Sequence, residues 1–316
     1  MIRTALRWIA SSFILLIAVT GLTFVLSSLA PGNAVSAVLG NDTTHTPQQY
    51  QRVRHELGLD SPLPVQYWHW LTNMLHGNLG TDLFDGQPIS QALGERIGPS
   101  MSIILSTLAV SAILGVGIGV YSAVRAGVVG RILDVAAIAA FAVPNFWLAV
   151  VLIEIFAVKA RLFPATGYVP FSTDPAQWAR SIVLPVLTLA AAGTAFVGRQ
   201  TRDSMMRVLA KDFITSLRAQ GLPVRSIVFK HALRNAAIPV ITALGLMLIA
   251  LLGGTVFIEN VFAVPGLGQL AVNAGATHDL TMIEGVAFYF AVIVIAVNLL
   301  VDLSYRVLDP KSGAKT

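Results

Sequence analysis

Few side chains in this 316-residue chain are suited to catalysis. It contains no cysteine, which excludes disulfides, thiolate nucleophiles and cysteine-held zinc or iron–sulfur centres. Its histidines are His45, His55, His69, His76, His231 and His278, all in expected loops, with no HExxH pair and no GxSxG elbow. No Gly-Lys dipeptide occurs, so there is no phosphate-binding P-loop, and LGVGIGV lacks the spacing of a dinucleotide loop. What remains is a set of polar residues beside long apolar runs. Asp134, Glu154, Glu284 and Asp302 lie near the ends of such runs, where a carboxylate must face protein, water or an interface. Glu154 stands about one turn before Lys159, so it reads either as an interfacial ion pair or as a contact to a substrate cavity. Pro144 interrupts an apolar run and is expected to kink its helix, with Asn145 beside it to satisfy the freed backbone groups.

These residues must be positioned by helices in a membrane. Only 12% of the residues are charged and 55% are hydrophobic, against roughly 25% charged in soluble domains, and mean hydropathy is +0.73. A bilayer core needs about 20 apolar helical residues. Six runs meet that need, with spans expected at 9–30, 101–124, 132–156, 181–199, 236–258 and 282–303. The first follows Arg3 and Arg7 and reads like a secretory signal, but its 22 residues exceed the roughly 7 to 15 of a signal's apolar region. It is expected to be a retained anchor. Pro185 and Pro239 fall near the starts of the fourth and fifth runs, where proline is cheap. Gly115 and Gly119 form a small-xxx-small pair in the second, permitting close helix approach.

The net charge is +5, from 21 Lys+Arg and 16 Asp+Glu, and its distribution is informative. Placing both termini in the cytoplasm puts 15 of the 21 cations inside, as the positive-inside rule requires. Eight lie in the single inner segment 199–234, so the excess marks topology and a surface element rather than nucleic-acid binding. Lys159, Arg161 and Arg180 are outer exceptions without a sequence-level reason.

Two connecting segments carry further organisation. The outer segment 31–100 is too long for a simple connector. Thr46 and Gly58 bracket one expected helix in it, and Pro64 and Gly77 another that bears Tyr67, Trp68 and Trp70. Those aromatics suit an interfacial belt or a docking contact. In 199–234, Met205, Leu209, Phe213 and Leu217 recur every four residues, GLP breaks the helix at Gly221 and Pro223, and Val224, Ile227, Val228 and His231 continue at helical spacing. Helix, tight turn and helix would offer apolar knobs within a cationic rim, suited to a protein groove or anionic headgroups.

Three long stretches resemble the inner-membrane permease subunits of dipeptide, oligopeptide and nickel ABC importers. HELGLDSPLPVQYWHWLTNMLHGNLGTDLFDGQPISQALGERI, DFITSLRAQGLPVRSIVFKHALRNAAIPVIT and ENVFAVPGLGQL occur in the family's order, the second being similar to its EAA loop. The long first outer segment resembles the B type of the two homologous permeases. The resemblance implies an all-α fold, a six-helix type I importer permease with an extracytoplasmic insertion at 31–100 and a cytoplasmic coupling loop at 199–234. It implies a C-type permease partner, two cytoplasmic ATPases that bind ATP and Mg, an extracytoplasmic solute-binding protein, and no enzyme activity or cofactor in this chain. The cargo would be short peptides, or alternatively nickel chelates or other small solutes, moved across the inner membrane by alternating access. An ATPase-independent secondary carrier is the competing reading.

The resemblance assigns ATPase coupling to Asp212, Phe213, Leu217, Arg218, Ala219, Gly221, Leu222, Arg225 and His231. Phe213, Leu217 and Leu222 would anchor in the ATPase groove, with Arg218 and Arg225 at its rim. Pro144, Asn145 and Glu154 become candidates for the translocation path or a gate. Tyr67, Trp68, Trp70, Pro265 and Gly266 become candidates for binding-protein docking. The chain departs from the family pattern at Leu217 and Gln220, where Ala and Lys are frequent, and at HDLTMIEG, where RDYP..QG is usual.

Overall fold

A computed structural model of the chain describes residues 2–29, 34–39, 46–56, 58–125, 127, 130, 132, 135, 139 and 142–308. No β-strand occurs among the described residues, only an isolated bridge between Thr81 and Pro88. The helices are α1 (Ile2–Leu29), α2 (Ala34–Leu39), α3 (Pro47–Glu56), α4 (Leu63–Leu75), α5 (Ile89–Val124), α6 (Asn145–Leu152, running on as π-helical Ile153–Lys159), α7 (Pro175–Leu209) and α8 (Asp212–Ala219). Then follow α9 (Val224–Val261, π-helical over Ile227–Ala232), α10 (Leu267–Thr277) and α11 (Leu280–Leu308). Five of these, α1, α5, α7, α9 and α11, are long and apolar enough to cross a membrane.

The expected third span, 132–156, falls partly outside the described residues, and so does Asp134. Within its described part Pro144 does not kink a continuous helix. Its backbone is extended (φ −61°, ψ 133°) and α6 begins at the next residue, because proline lacks an N–H and fits ahead of a helix better than inside one. Pro185 and Pro239 show the reverse. Both lie inside helices, since α7 and α9 start well before their apolar runs. Asp174 caps α7, its Oδ1 accepting the N–H groups of Ala176 at 2.9 Å and Gln177 at 3.1 Å.

The chain forms two compact units, Met1–Gly98 with Pro265–Ile295, and Pro99–Val264 with Ala296–Thr316. In the first, the expected helices of the 31–100 segment are present. Thr46 and Gln49 form a capping box for α3, with Gln49 N–H donating to Thr46 Oγ1 at 3.3 Å and Thr46 N–H to Gln49 Oε1 at 2.9 Å. Gly58 closes α3 in the left-handed conformation (φ 67°). Tyr67 pins α4 to α1: its hydroxyl lies 2.9 Å from Thr20 Oγ1 and donates to Ile17 O at 3.3 Å, and its ring meets Phe24 edge-on. Trp70, Leu71, Met74, Ile89, Leu93, Leu267 and Met282 form this unit's apolar core. Asp279, buried at the N-terminus of α11, binds it together. Its Oδ1 accepts Met282 N–H at 3.0 Å and its Oδ2 accepts Leu83 N–H at 3.2 Å. Burial raises the Asp279 pKa above the usual carboxylate range, opposed by those two backbone donors and reinforced by nearby Asp82.

In the second unit the Gly115/Gly119 pair brings α5 onto α7. A Cβ at Gly119 would stand 2.5 Å from the Gly198 carbonyl oxygen and 2.6 Å from Thr201 Cβ, and one at Gly115 would stand 2.8 Å from Val197 Cβ. The backbones touch because nothing projects between them. Gly117, between the pair, has nothing within 4 Å. At the other side of this unit Thr242 Oγ1 and Tyr305 Oη meet at 2.6 Å, holding the end of α11 to α9.

Two predictions follow from these contacts. Gly119→Val is expected to destabilise the protein by about 1–3 kcal/mol through overpacking, while Gly117→Ala stays near neutral, as thermal melts in detergent would measure. Asp279→Ala is expected to cost roughly 0.5–2 kcal/mol as a lost cap, and Asp279→Asn, which keeps an acceptor without a charge to desolvate, less. The raised pKa carries a sign: stability from protonated Asp279 is present at acid pH and is lost as pH rises through that pKa. The Asn variant should therefore flatten the melting-temperature profile on the acid side.

Candidate functional site

The 199–234 segment is built as helix, turn and helix, with its phase set by a break that sequence periodicity missed. α7 ends at Leu209, Ala210 caps it, and α8 starts afresh at Asp212. The fourfold stripe is therefore not one helical face. Restarting the helix turns Ile214 inward, fully buried with Met205, Val208, Ile227, Val228 and Ala232, and turns Phe213 outward. Leu217 and Leu222 pack against the same cluster, so neither projects as a free knob. Val224 and Phe229, like Phe213, are exposed, at 64% and 59%. Asp212 sits in the first turn of α8, while Arg218 and Ala219 end it, exposed.

Gly221 makes the turn. Its φ of 78° lies in the left-handed region, where a Cβ is costly, and its N–H donates to Arg218 O while Leu222 N–H donates to Leu217 O. Pro223 then caps α9 with extended backbone. Arg225 and Lys230 are exposed beside the open apolar residues, and His231 is half-buried, its carbonyl accepting from Asn235 Nδ2 at 2.7 Å. The result is a buried cluster in a segment that exposes Phe213, Val224 and Phe229 along with Arg218, Arg225 and Lys230.

A second feature of this unit is a cavity of about 360 Å³ between α6, α7 and α9. Asn145, Leu189, Gly193, Phe196, Met247 and Leu251 are among its walls, and Asn145 is their one polar side chain. Pro144 stands just ahead of it, at the start of α6. Glu154 does not line it. Its carboxylate pairs with Lys159 Nζ at 3.3 Å, both side chains more than half exposed, an arrangement worth little to stability. The pairing suits the π turn of Ile153–Lys159, because i→i+5 bonding in a π-helix brings residues five apart closer to one face than an α-helix does.

The last turn of α9 contains a buried acid that the sequence did not single out. Glu259 is fully buried and accepts a hydrogen bond from Ser100 Oγ at 2.6 Å. Its carbonyl accepts Val264 N–H, and Ala263 takes a left-handed φ of 49°. Phe262 O accepts Gly167 N–H at 2.8 Å, tying the loop before α7 to this turn. The glutamate of ENVFAVPGLGQL is the available signal, since an acid in an apolar stretch must be held.

In the other unit the aromatic trio divides. Tyr67 and Trp70 are stacked and engaged by α1 and the core, whereas Trp68 is 62% exposed. Gly266 is buried and Pro265 half-buried, at the start of α10, so they shape this turn rather than present a surface. Glu284 is buried and Asp302 exposed.

Comparison with known proteins places these features in a family. Residues 115–313 match the model of the binding-protein-dependent transport system inner membrane component, and residues 1–90 match the model of the N-terminal part of such membrane components. The chain is 37% identical over 307 residues, 97% of each chain, to the protein of Sinorhizobium fredii named "Probable peptide ABC transporter permease protein y4tP". It is 37% identical to the glutathione transport system permease protein GsiC of Pectobacterium atrosepticum, across 93% of this chain and 94% of that one. An inward-facing structure of the MetNI methionine ABC transporter shares the fold, with a TM-score of 0.53 at 17% identity over 70% of this chain and 97% of that chain. The chain belongs to the inner-membrane component family of binding-protein-dependent transport systems, and its fold is that of a multi-pass type I ABC importer permease.

Proposed function

We propose that this chain is one half of the translocation pathway of an ATP-driven importer of short peptides, with both termini in the cytoplasm. A homologous permease would supply the other half, two cytoplasmic ATPases the energy, and an extracytoplasmic binding protein the cargo. The chain itself would catalyse no reaction, and ATP and Mg would act on the partner subunits. The carrying observation is the α8 and Gly221 turn. Exposed Phe213, Val224 and Phe229 stand over a buried cluster and beside Arg218, Arg225 and Lys230, the arrangement of an anchor set entering a partner's groove. Names of relatives 37% identical to this chain, a peptide and a glutathione permease, support a peptidic cargo. The placement of 15 of 21 cations on one side supports the orientation.

In this reading ATP binding draws the ATPases together, and α8 carries that movement into α7 and α9 because Ile214 shares one buried cluster with Met205 and Val208 of α7 and Ile227 and Val228 of α9. The force passes through close-packed contacts, which do not deform smoothly. Trp68 and the exposed parts of the 31–100 segment would meet the binding protein.

Reconstitution with the partner chains tests the proposal. Peptide with binding protein is expected to stimulate ATP hydrolysis and uptake, and ion-driven uptake by this chain without ATPases would overturn it. Phe213→Asp and Val224→Asp are each expected to weaken ATPase attachment by about 2 kcal/mol or more while the chain still inserts, as pull-down of the ATPases measures. Gly221→Pro is expected to abolish ligand-stimulated hydrolysis, because proline cannot adopt the positive φ of that turn.

A further inference from the structure

The cavity between α6, α7 and α9 has the size and chemistry of a ligand subsite. An apolar cavity of about 150 Å³ suffices for benzene, and this one, at about 360 Å³, takes an aromatic or branched aliphatic side chain with room to move. Leucine, phenylalanine and methionine walls favour such a group over water.

Polar groups stand at its edge. Asn145 is the side-chain donor, and it is also the first residue of α6, where the N–H groups of the opening turn lack intrahelical acceptors. A helix that begins within a membrane path directs those N–H groups and its positive dipole end at carbonyl or carboxylate oxygens. A second polar group lies behind the wall. Ser111 Oγ is fully buried without a hydrogen-bond partner among the described residues. It abuts Gly193, where an added Cβ would meet Ser111 Oγ at 2.5 Å and also the Met247 methyl. Met247 is unbranched and readily changes rotamer, so its movement would bring the hydroxyl to the cavity.

We propose that this cavity is a transit subsite for the apolar side chain of a transported peptide, with Asn145 and the start of α6 holding a neighbouring carbonyl or carboxylate of the cargo. The assignment rests on the reading of this chain as half of a peptide pathway and adds to it a preference among peptides. A lipid acyl chain would fit the apolar walls equally but has no use for the donors at their edge.

The test uses the complete transporter in liposomes with its ATPases and binding protein. Ala250 and Leu246 line the cavity from exposed positions, so substituting them leaves the buried core alone. Ala250→Phe is expected to lower uptake of dileucine and diphenylalanine by roughly 10-fold or more relative to diglycine, as loss of a hydrophobic pocket does. Leu246→Ala is expected to raise uptake of tryptophan-containing dipeptides relative to diglycine, and it decides the matter if Ala250→Phe fails to assemble. Equal effects on all peptides, or sensitivity only to the acyl chains of the liposome, would overturn the subsite while peptide import stands. If the unsubstituted transporter imports none of these peptides, the import reading itself fails and the subsite with it.

Discussion

The backbone contact between α5 and α7 governs the second unit. Where Gly119 meets the Gly198 carbonyl, the helices approach as closely as two backbones can, and lipid offers no hydrophobic pressure that would otherwise hold them together. The same face of α5 carries Thr107, Ser111 and Gly115 at intervals of four, so small residues run the length of the contact. With α7 fixed in this way, Leu189, Gly193 and Phe196 are presented to α6 and α9 to form the cavity. The end of α7 is likewise held in place to receive Ile214 and Ile227. Pathway and coupling segment thus share one rigid support.

Sequence reading recovered what long-range physics writes plainly. Five of the charge-free runs coincide with helices long and apolar enough to cross a membrane, Gly115 and Gly119 mark the close approach of α5 to α7, and Thr46, Gly58 and Gly221 mark caps and turns, because each reflects a single dominant constraint. It was weaker where two local signals compete. A stripe at Met205, Leu209, Phe213 and Leu217 implied one helix, yet Lys211 takes extended backbone (ψ 148°) and resets the phase, exchanging Phe213 for Ile214 in the buried cluster. Pro144 likewise carries a kink reading in the sequence, whereas its backbone angles place it ahead of a helix start.

The remaining site residues were illegible for a different reason. Nothing in VQYWHW tells that Tyr67 faces Thr20 and Phe24 while Trp68 faces out, since that depends on which side of α4 meets α1. The roles of Glu259 and Asp279 required knowing that Ser100 and Leu83 come to them from far along the chain. Motif resemblance marked the neighbourhood of both acids without assigning either a partner.

The bond from Leu83 N–H to Asp279 spans 196 positions of sequence, and it sets an order on assembly during synthesis. At about 5–20 residues per second, the ribosome needs roughly 10–40 s after Leu83 emerges before Asp279 exists. Until then the 31–98 segment has only α1 and the start of α5 from its own unit, and its apolar residues Ile89 and Leu93 wait for Leu267 and Met282. Leu83 keeps an unclaimed N–H over the same interval. A chain truncated before α10 would thus lack the Leu267, Met282 and Asp279 contacts that close the first unit.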